Sequence, residues 1–232
     1  MLIDRLDSRF LQYLVAHNGR ANHKLPSLND ISDELGISVG KLREQLEVAR
    51  QMGLVSVRPR VGIQREPFDF QQVIEQGTLF GLATGEASFA QLNQLRRAVE
   101  IGFWSQAVVL LTAEDKESLR QIVASAWQKL RGEPIHVPNE EHRQLHLTIF
   151  SRLDNPFAQG ILATYWEAYR ASELTRYTRY QYWVDVWTYH ENIVETLVAD
   201  EPDRGLQLLI EHFALIRTSP PTSAPLSVVI GD

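Results

Sequence analysis

The chain has 232 residues, of which 44% are hydrophobic and 22% charged, a composition typical of a soluble globular protein with one large domain or two modest ones. Its longest apolar stretches, such as residues 107–111, are far shorter than the roughly 20 residues that cross a bilayer. The start has no apolar signal core, so we expect a cytoplasmic protein that does not bind membranes. Because the chain has no cysteine, disulfides, thiolate catalysis and Cys-ligated metal sites are excluded, and any metal needs His and carboxylate ligands.

The net charge of −6 is unevenly distributed along the chain. Residues 1–66 carry 10 Lys and Arg against 8 Asp and Glu, a net charge of +2, whereas residues 67–232 carry 13 against 21, a net charge of −8. A mildly basic head on an acidic body fits a modular regulator, because only the part that lies near phosphate needs positive charge.

The head, residues 1–66, predicts three helices followed by a β-hairpin. Apolar residues at three- and four-residue spacing predict one helix over residues 3–14. Ser27 can cap a second helix that runs through residue 35, and Ser38 can cap a third that ends near residue 52. Alternating residues then predict two short strands around a turn at 58–62. Three helices and a hairpin describe a winged helix-turn-helix.

The body, from residue 67 onward, shows long helical periods and no convincing strand. Gly, Pro, Asp and Asn punctuation separates seven predicted helices, at 69–82, 88–112, 115–131, 139–152, 156–173, 180–199 and 203–217. The predicted fold class is mainly α: a winged helix-turn-helix at 1–66, an all-α bundle of six to seven helices at 67–217, and a flexible tail at 218–232 that is rich in Pro and small residues.

The third predicted helix has the two faces that a recognition helix needs. Leu42, Leu46 and Ala49 share an apolar face, while basic residues lie on the others. Arg43 can bond a guanine edge with two hydrogen bonds, and Lys41 or Ser38 can hold a phosphate. The wing adds two further cations and a glycine that would let the backbone come close to DNA. The predicted DNA contacts are Ser27, Ser38, Lys41, Arg43, Arg58, Arg60 and Gly62. The alternative is that these are ordinary solvated charges on a small helical domain.

About 40 consecutive residues of the head resemble the DNA-binding head of GntR-family transcriptional regulators. The matching motifs are Leu25-Pro26-Ser27, residues 31–38, residues 42–46, Met52-Gly53-Leu54-Val55, Arg58-Pro59 and Gly62. Two departures remove cations that the family usually has there: Val39 follows the capping Ser38 where the family has arginine, and Leu28-Asn29 replace a Glu-Arg pair. The resemblance implies an operator that differs from the family's common one, with Arg43 retained.

Four of the seven histidines lie in the body in a pattern that indicates a metal site. His142 and His146 are four residues apart, so both imidazoles project from one face of a helix. His190 and His212 lie on two later helices. Neutral imidazoles that converge from three helices would bind a borderline divalent ion. The alternative is that these are helix-surface histidines or core histidines with hydrogen-bond partners.

Residues 70–217 resemble the all-α FCD domain of the FadR subfamily of GntR regulators. Many members bind metal through an Asp and a His four residues later on one helix, and two more His on the last two helices. By this resemblance His146, His190 and His212 match the three histidines, and His142 stands at the Asp position. A site with imidazoles alone should favour zinc or nickel over harder ions such as manganese.

The resemblance also implies an effector site for a small organic acid. Arg96 and Arg97 stand where the family often has an arginine that could clamp a ligand carboxylate, although Arg97 is equally consistent with a surface charge. Residues 165–189 contain six of the seven tyrosines and three of the five tryptophans. Such a stripe is more often packing or a dimer interface, but Tyr165 and Tyr169 could also line a polar ligand pocket.

The leading hypothesis is a homodimeric, ligand-responsive transcriptional regulator that binds a two-fold symmetric DNA operator. Its helical body would bind a divalent metal and a small-molecule effector, with a carboxylic acid as one candidate, and it would not be an enzyme. An alternative is a helical metal-dependent hydrolytic enzyme with an accessory winged-helix module, in which Glu141 or Glu191 would serve as a base. A third hypothesis keeps the regulator and makes the metal purely structural.

Overall fold

The structure is a computed structural model that describes residues 2–17, 24–172 and 179–215. The chain forms two compact units, the first ending at Gly77 and the second beginning at Thr78. The sequence places the end of the head at residue 66, before the helix that contains this division. The predicted flexible tail at 218–232 lies outside the described residues.

The first unit contains the helices and hairpin expected of a winged helix-turn-helix. Its elements are a 3-10 helix Leu2–Arg5, α1 Arg9–Ala16, α2 Leu28–Leu35, α3 Val39–Gln51, β1 Val55–Arg58 and β2 Gly62–Arg65. The two strands are antiparallel, with Val55 opposite Arg65 and Arg58 opposite Gly62. Arg60, in the turn between them, has a positive φ of 66°, and Gly62 follows with a φ of 95°. The hairpin is therefore closed by left-handed residues at its tip.

The single helix predicted over residues 3–14 is wrong, because the chain breaks between the 3-10 helix and α1. The Ser8 side chain accepts a hydrogen bond from the amide of Leu11 and so caps the start of α1. Gln45 of α3 strengthens the break, since its Oε1 accepts from the Ser8 hydroxyl at 2.9 Å and from the Phe10 amide at 2.9 Å. The hydrogen bonds from α1 to Gln45 thus outweigh the apolar spacing that continues from the 3-10 helix into α1.

The head has its own apolar core, built from one face of each helix and from the hairpin. The largest fully buried side chains in it are Phe10, Ile31 and Leu42, each with no exposed surface. Asp30 and Ser27 form a reciprocal capping box at the start of α2, and Gly36 ends that helix with a φ of 61°. The amide of Leu25 donates to the carbonyl of Ile63 at 2.9 Å and ties the chain before α2 to the wing.

The remaining helices are α4 Phe70–Thr84, α5 Phe89–Val108, α6 Ala113–Leu130, α7 Asn139–Ile149, α8 Pro156–Ala171, α9 Tyr180–Val198 and α10 Pro202–Phe213. Seven helices were predicted after the head, and several end earlier than predicted. The predicted span 88–112 ends at Val108 because Thr112 caps α6 through a capping box with Asp115. Asn155 caps α8 without a capping box, because its side-chain oxygen accepts from the amides of Phe157 and Ala158. Within the described residues no helix is both long and apolar enough to span a membrane.

The core of the second unit is built around Trp104 of α5, which is 1% exposed. Its indole nitrogen donates to the carbonyl of Pro202 at 2.9 Å and fixes the start of α10. Gly205 of α10 lies flat against this ring: a Cβ there would lie 2.9 Å from a ring carbon of Trp104 and 2.8 Å from the hydroxyl of Thr196. The missing side chain lets α10 approach α5 and α9 closely, and α10 carries His212 in its last turn.

Candidate metal centre and nucleic-acid interface

Four histidines converge inside the second unit. One ligand nitrogen from each of them can be chosen so that all four lie within 4.8 Å of one another, and we call them the histidine cluster: His142, His146, His190 and His212. None is more than 2% exposed. Helix α7 contributes two of them at i and i+4, and α9 and α10 contribute one each. The predicted convergence of imidazoles from three helices is therefore present in the structure.

The ring of His146 is oriented by a buried carboxylate. The Nδ1 of His146 lies 3.0 Å from an oxygen of Glu100, which is fully buried on α5. Because an ionised carboxylate only accepts hydrogen bonds, Nδ1 carries the proton and Nε2 keeps its lone pair. This is the arrangement in which a carboxylate behind a histidine prepares it as a metal ligand.

Arg96 completes this arrangement from the other side. Its Nε donates to Glu100 at 2.7 Å, and its Nη2 lies 2.9 Å from Nε2 of His146. The guanidinium is fully buried and lies over the rings of Tyr165 and Trp166, with its central carbon 4.5 and 4.6 Å from their centroids. The sequence analysis named Arg96 as an effector residue but did not predict the contact of Glu100 with the histidine.

Aromatic rings pack around His142. The indoles of Trp166, Trp183 and Trp187, which we call the indole set, have centroids 4.7, 6.1 and 6.3 Å from the His142 ring. All three indoles are at most 1% exposed. Part of the predicted aromatic segment thus packs in the core against the cluster. Tyr177, which belongs to that segment, lies outside the described residues.

Polar atoms without partners are concentrated at the cluster. Within the described part of the chain, both ring nitrogens of His142, both of His212 and Nδ1 of His190 are buried without a hydrogen bond. Burying a polar atom without a partner costs about 1–3 kcal/mol, and native proteins leave few such atoms. The Nε2 atoms of His146 and His190 are 3.2 Å apart, close to the roughly 3.3 Å that two ligands on a tetrahedral zinc ion would have. The four residues therefore fit a divalent metal ion.

Burial sets the protonation of the cluster. It holds the pKa of His142, His190 and His212 well below the usual 6.5, and the positive charges of neighbouring groups act in the same direction. Burial would raise the pKa of Glu100, but the nearby Arg96 and His146 outweigh it and lower that pKa to about 2. The imidazoles are therefore neutral and the carboxylate ionised at neutral pH, which are the states that metal binding requires.

The predicted effector residues fall into two environments. Arg96 and Tyr165 are fully buried beside the cluster, and Tyr169 is half-buried with its ring perpendicular to His142 at 6.0 Å. Arg97 is exposed, and its guanidinium lies 5.8 Å from the ring of Phe213. The structure thus brings three of the four predicted residues together around the histidines and leaves Arg97 at the surface.

The head presents a set of exposed cations on the predicted DNA-contacting elements. Lys41 and Arg43 of α3 and Arg58 and Arg60 of the hairpin are exposed and form no ion pair within the described residues. Arg50 differs, because its guanidinium pairs with Glu47 at 2.6 Å on the same helix. The unpaired cations therefore lie on the first half of α3 and on the wing.

The hydroxyls predicted to contact DNA already serve as helix caps. Ser27 Oγ donates to Asp30 at 2.7 Å, and Ser38 Oγ accepts from the amide of Lys41 at 3.3 Å. Both serines are exposed, so the helix starts that they cap remain open to solvent. Amide groups at a helix start attract phosphate through their partial positive charge.

A winged helix-turn-helix joined to an all-α body with a buried histidine cluster defines a two-module transcriptional regulator. A family model for the FCD domain matches residues 91–215, more than half of the chain. The chain belongs to the FCD domain family of GntR-type transcriptional regulators. The HTH-type transcriptional regulator YcbG of Bacillus subtilis (strain 168) is 22% identical over 227 residues, covering 93% of this chain and 88% of that protein.

The fold agrees with a solved structure of the same kind. Streptococcus agalactiae GntR superposes with a TM-score of 0.62 at 14% identity, and the match covers 92% of this chain and 97% of that chain. The family model and the curated relative confirm the resemblance to GntR regulators. The alternative of a metal-dependent hydrolytic enzyme is wrong, since the family and the relatives are regulators. The two carboxylates considered as bases for such an enzyme are in ordinary environments: Glu141 pairs with Lys129 at 2.6 Å, and Glu191 is exposed.

Proposed function

We propose that this protein, a member of the FadR subfamily, is a homodimeric regulator whose DNA binding responds to a divalent metal and a small organic acid held in its FCD domain. The observation that carries the proposal is the histidine cluster, four buried imidazoles in which five of the eight ring nitrogens have no hydrogen-bond partner within the described residues. A purely apolar core would not retain them, because each unpaired nitrogen costs stability.

The metal would be held by His142, His146, His190 and His212. Four neutral imidazoles are ligands of intermediate softness, which favours zinc or nickel over magnesium, calcium or manganese. When bound, such an ion supplies a Lewis-acidic centre for a ligand oxygen. Glu100 fixes the tautomer of His146, and the indole set keeps the imidazoles away from bulk water.

The effector would contact Arg96, Tyr165 and Tyr169, with Arg97 at the surface of the same helix. Arg96 is the strongest support for an acidic effector, because its Nη1 is buried without a hydrogen bond within the described residues. A guanidinium pairs with a carboxylate through two parallel hydrogen bonds, so this nitrogen is suited to complete such a pair. Buried cations without full pairing are costly, and an anion would remove that cost.

DNA would be contacted by α3 and the wing. Arg43 and Lys41 are exposed on the first two turns of α3, where a recognition helix reaches bases and phosphates. Arg58 and Arg60 would contact the backbone from the wing, Gly62 would allow close approach, and the helix starts at Ser27 and Ser38 would bind phosphate.

A homodimer would match a two-fold symmetric operator. Helices α5 and α8 pack together, and each leaves a large apolar side chain exposed: Leu95 is 46% and Phe157 is 55% exposed. A second copy of the chain that covers such residues would gain about 25 cal/mol for each Å² of apolar surface buried.

Elemental analysis combined with DNA binding tests this proposal. The purified full chain should contain about one zinc or nickel per chain, and chelation should lower both its melting temperature and its affinity for a DNA site selected from a random pool. His212→Ala should abolish metal retention, whereas His136→Ala, which alters an exposed histidine outside the cluster, should not. A melting temperature that falls without any change in DNA affinity would make the metal structural, and a metal-free protein that His212→Ala does not alter would contradict the proposal.

A further inference from the structure

The first turn of α3 carries a glycine that the fold of the head does not require. Gly40 is the second residue of the helix and has no positive φ. Within the described residues, a Cβ there would meet only the hydroxyl of Ser38, at 4.0 Å, so an alanine would fit without strain. Glycine is among the least favourable residues inside a helix, and one use of it is to let the backbone approach another molecule closely. The bare backbone at Gly40 therefore indicates that a molecule outside the head contacts this turn.

The residue before this glycine is apolar, and the core of the head does not use it. Val39 is half-buried, but it is not among the side chains that pack against that core in the described part of the chain. Arg43 follows four residues later, and side chains at this spacing are neighbours on a helix surface. An apolar side chain and an exposed cation therefore lie side by side at the start of α3.

The outward face of α3 becomes acidic after its first turn. Glu44 and Glu47 follow Gly40 by four and seven residues, so they lie on the same face, opposite the buried Leu42 and Leu46. Both carboxylates are exposed. Carboxylates are repelled by the phosphates of DNA, so this face can come closest to DNA at its first turn, where recognition helices contact base edges.

The bases differ in what they present to such a turn in the major groove. Guanine offers two acceptors, which suit an arginine, whereas thymine presents an apolar C5-methyl group. We propose that Val39 recognises a thymine of the operator through this methyl group, and that Gly40 lets α3 come close enough for the contact. The inference rests on the proposed function, because it requires α3 to lie in the major groove.

Replacing thymine by uracil tests the contact, because uracil pairs in the same way but lacks the methyl group. A DNA site is selected from a random pool with the full chain, and each of its thymines is replaced by deoxyuridine in turn. For at least one thymine, the replacement should weaken wild-type binding about fourfold, as expected for the loss of one buried carbon group. Val39→Ser should remove this penalty. Val48→Ser, at a 54% exposed valine on a later turn, is the matched control and should keep it.

Gly40→Ala tests the close approach, with opposite effects expected on folding and on binding. Alanine favours the helix over glycine, so the melting temperature should stay the same or rise. DNA affinity should fall about tenfold, or about 1.4 kcal/mol, because the added methyl group holds α3 away from the base edges. The uracil penalty should also disappear, which keeps the test decisive even if Val39→Ser fails to fold.

The outcomes separate this inference from the proposed function. A selected site in which no thymine shows the penalty would overturn the inference, and so would a penalty that persists in folded Val39→Ser or Gly40→Ala. Unchanged DNA affinity in Gly40→Ala would overturn the close approach. Failure of the selection to enrich any DNA site would instead overturn the DNA-binding part of the proposed function.

Discussion

Arg96 and His146 meet at the atom through which His146 would bind a metal. The Nη2 of Arg96 lies 2.9 Å from Nε2 of His146, while Glu100 occupies Nδ1 of the same ring. A single lone pair cannot serve a guanidinium and a metal ion at once. Metal binding at the histidine cluster therefore requires this hydrogen bond to break, and the guanidinium competes with the ion that the cluster would hold.

Removing the guanidinium should strengthen metal binding. Arg96→Met deletes both the competing hydrogen bond and a nearby positive charge, so we expect zinc affinity to rise about tenfold or more, since hydrogen bonds to charged groups contribute about 1.5–3 kcal/mol. The metal-free variant should be less stable by about 3–5 kcal/mol, because Glu100 is left buried without its partner. Competition with a chromophoric chelator measures the affinity, and Arg97→Met, at an exposed neighbour, is the control. A weaker zinc affinity in Arg96→Met would show that the guanidinium supports the ion.

Acid should destabilise the metal-free protein from about pH 6.5 downward. His142, His190 and His212 have a pKa well below 6.5 in the folded state, through burial first and neighbouring positive charge second. Below pH 6.5 the unfolded chain therefore takes up protons that the folded chain does not, and stability falls by up to about 1.4 kcal/mol per pH unit for each imidazole.

Urea unfolding at pH 7.5, 6.5 and 5.5 measures this slope. His190→Gln should reduce it by about one imidazole, or about 1.4 kcal/mol per pH unit. Saturating zinc should raise the free energy of unfolding at each pH without moving this onset, because the protons are taken up by the unfolded chain. A slope that is the same in wild type and His190→Gln would contradict the assignment of buried neutral imidazoles.

The contact of Gly205 with Trp104 should determine where α10 places the imidazole of His212. Gly205→Ala places a Cβ within 2.9 Å of the Trp104 ring and within 2.8 Å of the Thr196 hydroxyl. We expect a loss of about 1–3 kcal/mol in unfolding free energy and weaker zinc binding, since α10 also carries His212. Gly102→Ala is the matched control, because nothing lies within 4 Å of its Cβ, and a helical alanine should stabilise by about 0.5–1 kcal/mol. Unchanged zinc affinity in Gly205→Ala would show that the contact of Gly205 with Trp104 does not position His212 for metal binding.

Two arginines on α3 should differ in their effect on DNA binding. Arg43 is exposed and unpaired within the described residues, whereas Arg50 is paired with Glu47 at 2.6 Å. Arg43→Ala should weaken binding to a selected DNA site by about 1–3 kcal/mol, roughly 5- to 150-fold. If Arg43 contacts a phosphate, the variant's affinity should also depend less on salt; if it contacts a base, the variant should discriminate less between DNA sequences. Arg50→Ala should change affinity by less than about threefold. Fluorescence anisotropy at several salt concentrations measures both, and equal losses in the two variants would contradict the role of Arg43.

Local signals in the sequence account for most of the head. The caps at Ser27 and Ser38, the left-handed Gly36 and the alternation of the hairpin each act over a few residues, so their effect can be predicted without a tertiary structure. The break before α1 could not, because Gln45, 35 residues further along than Phe10, helps to hold it.

The candidate site was predictable only in part, for the same reason. The i and i+4 spacing of His142 and His146 puts both rings on one face of α7, but their convergence with His190 and His212 is a tertiary property that was inferred from a resemblance. The contact of Glu100 with His146 spans 46 residues and has no local signal beyond the helical spacing that pairs Glu100 with Arg96.

The indole set places intrinsic fluorophores next to the histidine cluster. Three of its five tryptophans have ring centroids within 6.3 Å of the His142 ring, so much of the ultraviolet emission of the chain originates beside the cluster. Nickel and cobalt have partly filled d shells and quench nearby indoles, whereas zinc has a filled shell and leaves them bright. Occupancy by different ions can therefore be followed in the unlabelled chain by its intrinsic fluorescence.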